Sequence, residues 1–83
     1  MSHERLQMQG MLADLKQEVT GLALKIEGLA SAMRGGLNTA LTPVEELDVP
    51  LLASQMRDLE TAFVDLQGKR SRIERLKKEL GRG

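Results

Sequence analysis

The sequence predicts an all-α protein, an antiparallel two-helix coiled-coil hairpin that dimerises into a four-helix bundle. Three observations predict it. Two apolar stripes recur at alternating three- and four-residue intervals, which lays each along one face of a helix. A short stretch containing Gly, Thr and Pro separates them. The chain has 83 residues, no cysteine and a single aromatic residue. It therefore lacks disulfides, thiolate metal sites and a large core, and association is the remaining support for so small a domain.

The first helix is expected over about residues 4–34, where nothing but glycine weakens a helix; such a length spans about 45 Å. Its stripe is Met8, Leu12, Leu15, Val19, Leu22, Ile26, Leu29 and Met33. Leu12, Val19, Ile26 and Met33 take heptad position a, and Met8, Leu15, Leu22 and Leu29 take d. β-Branched residues at a with Leu at d accompany two-stranded packing when helices run parallel. Gly35-Gly36 is expected to end the helix, since glycine enters the left-handed region at a C-terminus without penalty.

A linker follows over about residues 35–49, with a short helical turn inside it. Thr42 can cap, Pro43 suits a first helical position, and Glu45 completes a capping box. Pro50 disfavours helical geometry at Val49, so this turn is separate from the helix that follows. Asp48 is the expected cap of the second helix, over about residues 50–80, with Gly81 and Gly83 ending it. Its stripe is Leu52, Met56, Leu59, Phe63, Leu66, Ile73 and Leu80, interrupted by Arg70 and Lys77.

Two helices of equal length joined by a short linker form an antiparallel hairpin. Pairing positions whose numbers sum to 85 sets a against d throughout. Met33 then meets Leu52, Leu29 meets Met56, Ile26 meets Leu59, Leu22 meets Phe63, Val19 meets Leu66, and Leu12 meets Ile73. The same register sets Leu15 opposite Arg70, Met8 opposite Lys77 and Arg5 opposite Leu80, so the open end is polar and expected to fray.

One seam per helix is too little burial for a chain of this length. Ala23, Leu24, Ala30 and Ala32 on the first helix, with Ala53, Ala62, Val64 and Leu76 on the second, imply another seam. Gly21, Gly28 and Gly35 recur at heptad spacing; they either let a further helix approach closely or are solvent-facing positions where the cost of glycine is tolerated. A homodimer of hairpins is expected. Residues 45–65 hold six acids and one base, and residues 66–83 hold seven bases and two acids. Antiparallel packing of two hairpins sets acid against base, whereas parallel packing stacks like on like.

No enzyme, cofactor or metal site is expected. His3 is the sole histidine and lies in the N-terminal tail; no second His and no Cys completes a transition-metal site. Glu45, Glu46 and Asp48 cluster at a helix start, where acids complement the dipole. Gly35-Gly36 lacks the flanking Lys-Ser/Thr of a phosphate loop. Equal numbers of acidic and basic residues, twelve each, give no global field toward nucleic acid or membrane.

The expected function is a non-enzymatic oligomeric module mediating protein–protein contact, as scaffold, adaptor or small regulator. The alternative is a nucleic-acid-associated accessory protein using Lys69, Arg70, Arg72, Arg75, Lys77 and Lys78, whose cations would contact phosphates. Interleaved acids, the spread of those cations around the helix and the absence of base-stacking aromatics weigh against it. No apolar run approaches the roughly 20 residues of a membrane span. The N-terminus shows no apolar leader, so the expected location is the cytoplasm.

Overall fold

The computed structural model describes residues 2–82. Helix α1 runs Ser2–Gly36, a 3-10 turn occupies Val44–Glu46, and helix α2 runs Val49–Arg82. The two helices pack antiparallel as a hairpin measuring 63 × 16 × 15 Å. At one end Gly36 lies against Leu52; at the other the Arg5 guanidinium donates to the Leu80 carbonyl at 2.8 Å. That bond satisfies one of the last carbonyls of α2, which have no partner within the helix. It joins the two helices at the open end, where the sequence pattern leads one to expect fraying.

The α1 stripe behaves as its spacing predicts. Met8, Leu12, Leu15, Val19, Leu22, Ile26, Leu29 and Met33 are buried or half-buried, and their neighbours are exposed. Helix α2 differs from expectation in one of its two rows. Leu52, Leu59, Leu66, Ile73 and Leu80 line the seam as anticipated, but the alternate row is Gln55, Ala62, Lys69 and Leu76. Met56 and Phe63, expected inside, are 52% and 51% exposed, whereas Ala62 is 3% exposed. Arg70 and Lys77 also face solvent.

Charge explains the choice. Both rows have the same spacing, and α2 can bury either by rotating about its axis. Burying the Met56 row would carry Arg70 and Lys77 into the seam. The row used carries in one cation, Lys69, and gains Leu76. An unpaired buried charge costs several kcal/mol, more than the roughly 1.5–3 kcal/mol that full burial of a Met or Phe contributes. Lys69 is accommodated by laying its stem along the seam while its ammonium leaves toward Asp65 at 3.0 Å and Glu18 at 3.8 Å.

The register shifts accordingly. With Gly36 against Leu52, numbers within a layer sum to 88 rather than 85. Met33 then falls with Gln55, Leu29 with Leu59, Ile26 with Ala62 and Leu22 with Leu66. Val19 falls with Lys69, Leu15 with Ile73, Leu12 with Leu76 and Met8 with Leu80. A β-carbon on Gly36 would stand 3.1 Å from the Leu52 Cδ2, the far end of a flexible side chain, which would have to give by a few tenths of an ångström.

The turn is built differently from the expected scheme. Gly35 and Gly36 remain helical, and no described residue has positive φ. Instead Leu37 N–H donates to the Met33 carbonyl at 2.9 Å, and Asn38 N–H donates to the Gly35 carbonyl at 3.2 Å. Asn38 Oδ1 accepts from Ala40 N–H at 3.0 Å, a local turn of the kind Asn side chains form. Thr42 makes no capping bond; Pro43 holds the position before the 3-10 turn, with ψ 146°. Asp48 does cap α2: its Oδ1 accepts from Leu51 N–H at 3.1 Å, and its carbonyl accepts from Leu52 N–H at 3.0 Å. Pro50 fits the first turn of α2, where its missing N–H has no partner to lose. The last turn of α2 runs through Gly81 to Arg82, and Gly83 lies outside the described residues.

Candidate functional site

The seam divides the surface of the hairpin into two flanks and two outer faces. In an antiparallel pair, residues just after one seam row on each helix share a flank, and residues just before the other row share the opposite flank. The Glu18–Lys69–Asp65 cluster marks one of them. That flank also carries Lys25, Asp58 and Arg72 and is predominantly charged. At the exposures of Glu18 and Asp65, about half each, such pairs contribute at most about 1 kcal/mol.

The other flank is apolar for half its length. Leu37 is level with Val49, Ala30 with Met56, and Ala23 with Phe63, so three successive rungs have no charge. All six are exposed. Further toward the open end the flank turns cationic, with Lys16 level with Arg70, then Gln9 level with Lys77. Beyond the turn end lie Glu45, Glu46 and Asp48, all exposed. Sequence reasoning placed Met56 and Phe63 in the hairpin seam and so missed this flank. The signal that could have found it was the pair of charges at Arg70 and Lys77 on the same row.

The remaining candidates scatter. Lys69 is drawn into the seam, with its side chain 20% exposed, and is paired there with acids. Arg70 and Lys77 share the apolar flank's far half, Arg72 lies on the opposite flank, and Arg75 and Lys78 point outward. Arg82 pairs with Glu79 at 3.6 Å. The cations at the open end therefore surround the helix and form no single face. His3 lies in the first turn of α1, exposed. Among the described residues no three of His, Asp and Glu gather closely enough to hold a metal ion. Gly21, Gly28 and Gly35 have open space where a side chain would stand, so no helix of the hairpin uses their approach.

Gln55 is the one seam residue with an unmet need: its Oε1 is buried without a hydrogen-bond partner. Its layer also holds Met33, which offers no donor. Among the described residues no helix is long and apolar enough to cross a membrane. Set beside protein-family models, curated proteins and solved structures, the chain matches none.

Proposed function

We propose that this chain is a non-enzymatic helical-hairpin module that works as a self-associated pair, a four-helix bundle of two hairpins, and serves protein–protein contact as scaffold, adaptor or small regulator. The observation that carries this reading is surface. The hairpin exposes 6274 Å². A compact monomer of 9.2 kDa exposes about 4,900 Å², so the excess is about 1,300 Å². A standard interface removes roughly 800 Å² from each partner. The radius of gyration points the same way, at 18.7 Å against about 12 Å for a compact chain of this length.

Sedimentation equilibrium at micromolar concentration tests the reading. A mass of two chains is expected, with affinity falling as salt rises, because acidic and basic blocks meet across the contact. A single-chain mass at every concentration overturns it.

A second reading, a nucleic-acid-associated accessory protein, draws on Arg70 and Lys77 being exposed rather than held in the seam. With Arg72, Arg75 and Lys78 they leave five cations near the open end. A salt-titrated assay on duplex and single-stranded DNA decides it: no binding at about 50 mM salt removes it.

A further inference from the structure

The self-association proposed above leaves open which surface is used and in what orientation. The flank carrying Met56 and Phe63 answers both. These are large side chains with the same heptad spacing as the seam, left about half exposed because the charges further along their row keep it out of the hairpin. The three apolar rungs occupy only the turn half of the flank. One cationic rung, Lys16 with Arg70, follows them, and the acidic tip of Glu45, Glu46 and Asp48 precedes them.

We infer that a second copy of this chain packs on this flank, antiparallel, with the two-fold axis through the Met56–Ala30 rung. Met56 then meets the partner's Met56, and Phe63 meets the partner's Val49. One heptad, about 10 Å, beyond Phe63, the Lys16–Arg70 rung of each copy faces the acidic tip of the other. The flank is self-complementary in both apolarity and charge, as a two-fold interface requires.

The other two arrangements fail on the same residues. Antiparallel overlap along the whole length would set Val49 against Lys77 and Met56 against Arg70, burying charge on apolar side chains. Parallel packing would bring the acidic tips of both copies together. Overlap is therefore confined to the turn halves, and the basic open ends project from opposite ends of the assembly.

The absence of native cysteine makes the test direct. A disulfide needs β-carbons roughly 3.5–4.5 Å apart, so Met56→Cys at the axis should oxidise to a covalent dimer. Leu24→Cys and Val64→Cys, exposed on the outer faces at 64% and 66%, should not. Val49→Cys mixed with Phe63→Cys should cross-link far more than either alone. Independently, Phe63→Glu should weaken dimerisation tenfold or more, as loss of a buried aromatic interface anchor does, while Val64→Glu leaves it within about twofold. A two-chain mass with cross-links at Leu24→Cys or Val64→Cys but not at Met56→Cys overturns the surface and leaves self-association standing. Cross-links of Met56→Cys without exchange between Val49→Cys and Phe63→Cys overturn the antiparallel orientation. A single-chain mass for the unmodified protein overturns both the surface and the reading it rests on.

Discussion

Helix α1 meets its neighbour with an apolar side chain at every layer from Met8 to Met33, whereas α2 answers with Gln55, Ala62 and Lys69 at three of those layers and holds Met56 and Phe63 outside. The helices are nearly equal in length, 35 and 34 residues, and each carries a heptad. They differ in how many faces they could bury. The α1 sequence offers one unbroken row pair. On α2, two rows compete for the second seam position, and a helix rotates as a unit. Arg70 and Lys77 therefore decide the fate of Met56 and Phe63, one and two heptads away. A costly residue at one end of a rigid element sets the facing of good residues at the other.

Variants can test that contrast, beginning with the largest effect. Leu15, third of the α1 seam residues from the open end, is 4% exposed, so Leu15→Ala should cost about 2–5 kcal/mol in urea unfolding. Phe63→Ala, measured where the chain is too dilute to associate, should cost well under that. Equal losses would mean that the two helices do not differ. Next comes the choice of row. Ala62→Leu crowds a position only 3% exposed and should destabilise by about 1–3 kcal/mol, while Phe63→Leu is nearly neutral in the dilute chain. The reverse order would return α2 to the row that its sequence first suggests.

Smaller effects separate the starts and faces of the elements. Asp48→Ala removes a capping bond made at 3.1 Å and should cost about 1 kcal/mol, read from the thermal midpoint. Thr42→Ala, at a position without such a bond, should leave that midpoint in place. Gly28→Ala should raise stability by up to about 1 kcal/mol, because nothing lies within 4 Å of the added carbon. A loss there would place another helix against the glycine face of α1 instead of the Met56 flank.

Much of the fold was legible because its signals are local. The α1 row needs only the spacing of Met8 through Met33, and the Asp48 cap needs only a carboxylate ahead of a helix. The antiparallel hairpin follows from two long stripes and a short linker. The register was not legible, since the row comparison on α2 requires weighing Lys69 against Arg70 and Lys77 together, and a lysine stem with two acids in reach costs less than it first appears. Nor was the end of α1. Glycine permits a left-handed stop without demanding one, and Gly36 serves here as a point of close approach to Leu52. The apolar flank was half hidden by the same row: Ala23 and Ala30 stand off the hairpin seam in the sequence pattern, but Met56 and Phe63, which complete the flank, fall on the row that the spacing assigns to that seam.

The tie between Arg5 and Leu80 also says how the hairpin responds to load. It sits at the open end, where both strands of chain leave side by side, 75 positions apart in sequence. Tension applied at those two strands acts on one layer at a time. The Arg5–Leu80 bond carries it first, then Met8 with Leu80, then Leu12 with Leu76. Peeling would therefore start at that end and run toward the turn. Closing runs the other way, because Gly36 and Leu52 are the nearest seam partners along the chain and the shortest loops close at the least entropic cost. The hairpin is mechanically a zipper whose slider rests at the turn.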